Sequence, residues 1–257
     1  MGLFRQIAQL EEARRPFAIA TVVTTEGSCP VDAGARLVFV EDGRSFGTVG
    51  GGRLEEKVKE RCREAILKGK TELLTFELDR KAGLMACGGR VKIFIEPFQK
   101  GKRLIIVGAG HVGMALCELA IFWGVDTIIC DRDPRALSKD RLPQDVRRVM
   151  VESARALFDG LSPEALDMVV IATGSHEADF EMLKQAIKTR AGYVGLLGSK
   201  KKRDSFFKRL REEGMDESFL KKVRCPVGLS IGAKGPREIA FSIMAELIRH
   251  FRSKDAG

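Results

Sequence analysis

The chain has 257 residues, long enough for two modest domains with a core each, and its 44% hydrophobic and 31% charged residues are those of an ordinary globular protein. No apolar run approaches the roughly 20 residues that span a bilayer, and the opening MGLFRQIAQLEEARR lacks a signal-peptide core, so no membrane role is expected and the chain is placed in the cytoplasm. The net charge of +9 admits nucleic acid, but basic residues are interspersed with acids except around residues 200–211, which suits an anionic small molecule or an acidic partner better than a duplex.

In chain order, residues 2–14 carry Leu3, Ile7 and Leu10 on one side of a helix. Residues 17–25 (FAIATVVTT) are rich in β-branched side chains and read as a strand, followed by the turn-forming loop EGSCPVDAG; residues 35–40 and 44–49 give two more strands. Gly50, Gly51 and Gly52 then precede a helix over 54–68 with Leu54, Val58, Cys62 and Ile66 at helical spacing. Glycines at a helix start leave free N–H groups unscreened, which fits a phosphate or oxyanion cradle and equally a tight strand-to-helix turn. Residues 72–78 and 90–96 alternate as half-buried strands, and the loop between them holds Cys87 before two glycines. Small neighbours leave that sulfur accessible, and open N–H groups with nearby Arg90 would lower its pKa, so Cys87 is the candidate functional thiol, with Cys29 its rival. The six cysteines include no CxxC pair, which indicates neither a metal site nor a disulfide framework. PFQKGK, residues 97–102, reads as the linker between a domain over 1–98 and another over 103–257.

Residues 104–131 organise the second domain. The apolar run 104–107 suits a buried parallel strand, and G-A-G-H-V-G opens a segment of helical spacing. Gly108 serves the tight turn, Gly110 lets a pyrophosphate approach the backbone and Gly113 lets the helix lie close to the strand. Free N–H groups at the helix start face the anion, and His111 in the first turn either touches phosphate or stands in solvent. A second apolar strand over 127–130 ends in Asp131, at about the 20-residue separation where a carboxylate accepts from a ribose 2′-hydroxyl. This favours NAD over NADP, while Arg132 beside it keeps the 2′-phosphate open.

Beyond Asp131, strands over 147–151, 168–173 and 193–197 alternate with helices over 154–161, 179–189, 199–213 and 237–251. The fold class is therefore α/β: a carboxyl-terminal Rossmann-like, doubly wound parallel sheet preceded by a smaller α+β domain. The loops GAGHVG, TGSHEAD and LGSKKKRD should share the rim at the strands' carboxyl ends. There His176 is the candidate ligand-facing donor or base, whereas His250 near the end of the chain reads as exposed. Cations at a helix start oppose its dipole, so Lys200 and Arg203, with the lysines between them, make sense beside an anion.

With these segments assembled, nearly the whole chain resembles the XdhC/CoxI family, accessory proteins that mature molybdenum hydroxylases such as xanthine dehydrogenase. EGSCPVDAGARL, GTVGGGRLEE, MACGGRVKIFIEP, IIVGAGHVG, YVGLLGSKKKR and CPVGLSIGAKGPREIAFSIMAEL carry the resemblance. It implies a cofactor chaperone, commonly dimeric, whose amino-terminal domain handles molybdenum cofactor (molybdopterin), protects it during sulfuration and passes it to the apo-enzyme. The partners implied are a molybdenum hydroxylase client and a sulfur-donating enzyme. Such a ligand carries a phosphate and a dithiolene, so the resemblance favours Gly50, Gly51, Gly52 and Cys87 as its contacts. Gly108, Gly110, His111, Gly113, Asp131, Lys200 and Arg203 are the contacts expected for NAD(P) or another adenine nucleotide. Two places depart from the family pattern: Val31 follows Pro30 where arginine is usual, and Thr173, Gly174, Ser175 and His176 stand where T-H-D-H is common. The competing reading is an NAD(P)-dependent oxidoreductase. Beyond His176 no acid–base pair is legible and fold alone supplies no reaction, so the carrier is preferred.

Overall fold

A computed structural model describes residues 2–78, 88–99, 101–138, 140–144 and 146–255. The chain divides into two compact units, Met1–Lys100 and Gly101–Gly257.

In the first unit, helix α1 (Leu3–Glu12) leads into β1 (Phe17–Glu26), β2 (Arg36–Val40) and β3 (Ser45–Gly47), then α2 (Gly52–Lys68), β4 (Glu72–Leu78) and β5 (Gly89–Phe98). The strands form one five-stranded sheet in the order β3-β2-β1-β5-β4, antiparallel at each pairing. Successive side chains of a strand point to opposite faces, and β1 uses both. Ala18, Ala20 and Val22 enter a core with Val58, Cys62 and Ile66 of α2, whereas Phe17 packs on the other face with Val38, Val40 and Leu10 of α1. The linker begins later than the sequence suggests, because Pro97 and Phe98 belong to β5 and pair with Ala18 and Phe17. Since β4 starts at Glu72, opposite Ile95, β5 beyond that point has a partner on one side only, where a proline lacking its N–H is tolerated.

In the second unit, β6 (Arg103–Val107), α3 (His111–Trp123), β7 (Asp126–Asp131), β8 (Arg147–Met150), α4 (Ala154–Leu161), β9 (Asp167–Ile171), α5 (His176–Ala186), β10 (Tyr193–Leu196), α6 (Lys200–Glu212), α7 (Glu217–Leu220), β11 (Val223–Arg224) and α8 (Gly235–Asp255) follow in turn. The six strands lie in the order β11-β10-β9-β6-β7-β8, all parallel. This is the doubly wound arrangement expected, with the order reversing between β6 and β9. Strands covered on both faces read as continuous apolar runs. Ile105 and Val169 meet Phe158 of α4, Phe180 of α5 and Phe206 of α6, while Leu104 and Ile106 meet Leu116 of α3 and Ile243 of α8.

Several expectations are corrected. Helix α5 starts at His176 and not at residue 179, because Ser175 caps it, its Oγ accepting from the Ala178 N–H at 3.4 Å. The sequence reading lacks α7 and β11. His250 is half-buried, its ring 5.1 Å from that of Tyr193 and 6.1 Å from that of Phe251. Among the described residues, no helix is long and apolar enough to cross a membrane.

Candidate functional site

The crevice of the second unit opens where the strand order reverses. Gly108 turns the chain at the end of β6 with φ +114, and a Cβ there would lie 2.2 Å from the Ala172 carbonyl oxygen. A Cβ on Gly113 would lie 1.8 Å from the Gly108 oxygen, so α3 rests directly on the loop. Gly110, the N-cap of α3, would meet nothing within 4 Å, and its outer side is open. No side chain caps α3, and the first-turn N–H groups of a helix have no partner within it. Asp131 at the end of β7 accepts from the Ala109 N–H through Oδ2 at 2.6 Å and from the Asp133 N–H through Oδ1 at 2.9 Å. The carboxylate therefore fixes the glycine loop while keeping lone pairs for ribose hydroxyls. Beside it lies a cavity of about 210 Å³, lined by Gly108, Asp131, Arg132, Val151, Thr173 and Met182 among others. Pockets that enclose a whole ligand hold roughly 300–1,000 Å³, so this one suits one end of a nucleotide, with the phosphates lying over the loop.

Thr173 forms the β9 side of the cavity. Its N–H and its Oγ1 both donate to Asp179 Oδ1, at 2.9 and 2.6 Å. The other carboxylate oxygen pairs with Lys202 Nζ, which also donates to the Leu197 carbonyl at 3.2 Å. The anion that the basic run calls for is thus, at Lys202, the protein's own carboxylate. Arg203 is engaged with Asp204 at 2.7 Å and with the Cys225 carbonyl at 3.4 Å, and Lys200 is exposed. Neither belongs to the cavity wall. His176 packs T-shaped with Phe206, with centroids 4.7 Å apart, and leaves the wall to Ser175 and Ala178. His111 is exposed and lines a separate open groove of about 420 Å³ with Lys234 and Arg237. The sequence points to a cation beside an anion on this rim, but not to Asp179 as that anion.

In the first unit the motif loops meet at one end of the antiparallel sheet. Ser28 bridges to Gly88, and a Cβ on Gly89 would lie 2.3 Å from the Ser28 oxygen and 2.7 Å from Cys29 Sγ. On the other flank, a Cβ on Gly50 would stand 3.1 Å from Pro30 and 3.4 Å from Val31. Gly50, Gly51 and Gly52 have φ of +123, +73 and +58, a path that glycine takes at little cost. Thr48 Oγ1 accepts from the Gly50 N–H at 3.2 Å and donates to Glu55 Oε2 at 2.7 Å. Burial opposes ionisation of Glu55, but hydrogen bonds from Thr48 and Lys59 outweigh it and hold the carboxyl below its ordinary value. A Cβ on Gly51 would meet nothing within 4 Å. The triplet is at once a tight turn and an open helix start.

Cys87 lies outside the described residues. Arg90, expected to lower its pKa, is paired with Glu77 at 2.6 Å and with Glu26 at 3.6 Å. Burial pushes the thiols of Cys62, Cys117 and Cys130 up to about 12 and that of Cys225 up to about 11, and such thiols stay protonated near neutrality. Cys29 is half-buried, with Sγ 3.3 Å from the Glu26 carbonyl and 3.4 Å from that of Arg90.

Fold and crevice together define a Rossmann unit with a nucleotide-type loop, joined to an α+β unit whose own glycine loops converge. The model of the XdhC Rossmann domain matches residues 104–247, and that of the XdhC and CoxI family matches residues 10–77. The chain belongs to the XdhC family. It is 34% identical over 97% of its length to the uncharacterized protein YqeB of Escherichia coli, covering 46% of that protein. It is 31% identical over 61% of its length to a probable xanthine dehydrogenase subunit of Bacillus subtilis, covering 45% of that protein. The chain thus spans about half the length of these curated relatives. A crystal structure of a xanthine dehydrogenase from Bacillus halodurans matches 98% of this chain and 96% of its own, with a TM-score of 0.52 at 23% identity, a likeness of fold.

Proposed function

We propose that this chain is an accessory protein of a molybdenum hydroxylase of the xanthine dehydrogenase type, binding molybdenum cofactor in its amino-terminal unit and delivering it, with sulfuration, to the client. The observation that carries this reading is the convergence of the Ser28–Cys29–Pro30, Gly50–Gly51–Gly52 and Gly88–Gly89 loops at one end of one sheet. Xanthine dehydrogenase in the name of the Bacillus subtilis relative supports the same client class. When bound, the cofactor supplies a metal and sulfur centre held on a phosphorylated pterin. The residues present fit such a group: Gly51 caps α2 with no side-chain hydrogen bond and open space where a Cβ would stand, so the N–H groups at this helix start would hold the phosphate. Cys87, with Cys29 as its rival, would present the soft sulfur. The Rossmann crevice would hold an adenine nucleotide, NAD(P) or a smaller one. The oxidoreductase alternative draws no support from His176, which is exposed, packs on Phe206 and does not line the cavity. The chain would act as a homodimer beside a sulfur-donating enzyme.

The test is mass analysis of the small molecules retained by the purified protein, before and after incubation with molybdopterin. Retention of a pterin that is lost in Gly51→Val and in Cys87→Ser is the expected result. Folded native protein that takes up no pterin ends this reading, and light scattering decides the dimer.

A further inference from the structure

We infer that Asp179 and Lys202 form a positioning clamp that sets the β9 wall of the Rossmann crevice for its nucleotide, an inference that rests on the adenine-nucleotide reading above. Asp179 is 1% exposed, and a carboxylate so placed must be supplied with donors. It has them on both oxygens: the Thr173 N–H and hydroxyl on Oδ1, and Lys202 Nζ on Oδ2. The Ser175 N–H in turn donates to Thr173 Oγ1 at 3.2 Å. Thr173 and Ser175 both line the 210 Å³ cavity, so the wall is reached from the carboxylate through two successive hydrogen bonds. Lys202 carries the restraint to the neighbouring loop by donating to the Leu197 carbonyl at 3.2 Å. Its stem lies so close to Gly198 that a Cβ there would stand 2.6 Å from Lys202 Cδ, and its ammonium lies 5.5 Å from the centre of the Phe206 ring. One pair, a buried carboxylate and a half-buried ammonium, therefore fixes the loops after β9 and β10 relative to each other. Neither side chain touches the cavity, so both act through Thr173 and Ser175.

Removing one partner of a buried pair strands the other, whereas replacing both with a matched neutral pair need not. Calorimetry with AMP and with NAD on native protein, Lys202→Met, Asp179→Asn and the double variant, alongside thermal unfolding of each, tests the clamp. In Lys202→Met the carboxylate loses its counter-charge; in Asp179→Asn the amide donors face an ammonium. In the double variant the Asn oxygen still accepts from Thr173 and no cation opposes the amide. Each single variant should weaken nucleotide binding by about tenfold or more, a loss that largely persists in high salt because a part-buried pair is screened much less than an exposed one. The double variant should bind within about threefold of native. Single variants that bind like native overturn the clamp, as does a double variant no better than the weaker single, with affinity simply following the loss of thermal stability. Native protein that binds neither AMP nor NAD fails the nucleotide reading itself, a result seen before any variant is made, and the clamp's role falls with it.

Discussion

In the carboxyl-terminal unit, carboxylates hold the loops of the crevice: Asp131 gathers the N–H groups of Ala109 and Asp133, and Asp179 gathers Thr173 and Lys202. In the amino-terminal unit the closest approach is bare backbone contact, Gly89 lying against the Ser28 carbonyl, while Gly50 packs on the side chains of Pro30 and Val31. The two designs respond differently to change. A carboxylate network is a set of separate bonds whose members can be weakened one at a time. A backbone approach that excludes even a methyl group has no intermediate setting, so it is kept or lost whole. The glycine loop of the crevice uses both devices, with Gly113 closing on Gly108 while Asp131 grips the residue between Gly108 and Gly110.

The largest expected effect is on the close approaches. Gly113→Ala and Gly89→Ala each drive a methyl group into a backbone oxygen, and each should cost about 3 kcal/mol of stability. Denaturant titration measures this, and an unchanged midpoint in either variant would dissolve the distinction between the two kinds of loop. Next, Asp131→Ala leaves the N–H groups of Ala109 and Asp133 without their acceptor and should cost roughly 1–2 kcal/mol, with Asp131→Asn recovering part of it.

Gly110→Val separates fold from function. With φ −73 and open space beside it, the position accepts a side chain at a stability cost within about 1 kcal/mol, yet nucleotide binding should vanish because the backbone is screened. Binding that survives would place the phosphates elsewhere. The smallest effect expected near neutrality comes from pH. Cys62, Cys117 and Cys130 ionise at about 12 in the folded chain against an ordinary 9.0. Below 9.0 neither state ionises and the full stability is present; between 9.0 and about 12 the unfolded chain loses protons that the folded chain keeps, so stability falls as pH rises. Replacing Cys62 with Ala should flatten that fall in thermal scans. Iodoacetamide at neutral pH should leave these three thiols and Cys225 unlabelled, and modification of any of them as fast as Cys29 would contradict their burial.

The crevice was legible in the sequence because its parts are local. A strand, glycines, a helix and Asp131 occur in one continuous stretch, and each residue type has a steric or hydrogen-bonding reason for its place. Asp179 was not legible as the partner of Lys202, since the two meet only through tertiary packing of α5 and α6; the cations at the start of α6 pointed to a bound anion, whereas at Lys202 the partner is this internal carboxylate. β11 is two residues long and cannot display a period. The linker read over 97–102 contains the boundary between the units, but its first two residues belong to β5, because Pro97 resembles a breaker and only the register of β4 shows that it sits on a free edge. The convergence of the first unit's loops was equally hidden, as Ser28 and Gly88 are brought together by the pairing of β1 with β5.

That pairing also governs how the first unit can come into being. Phe17 lies opposite Phe98, so the strand beside β1 at the centre of the sheet is the last to leave the ribosome, and the long excursion between them must close before the sheet is continuous. Among the described residues, β4 has no neighbour but β5 in the sheet order. A nascent or truncated chain that stopped at Leu78 would therefore carry β4 without its ladder and β1 with one edge bare, a pair of sticky edges open to other chains. Gly50 can meet Pro30 and Val31 early, but Ser28 and Cys29 have nothing to close against until Gly88 and Gly89 arrive, which makes the complete convergence of loops a late product of folding.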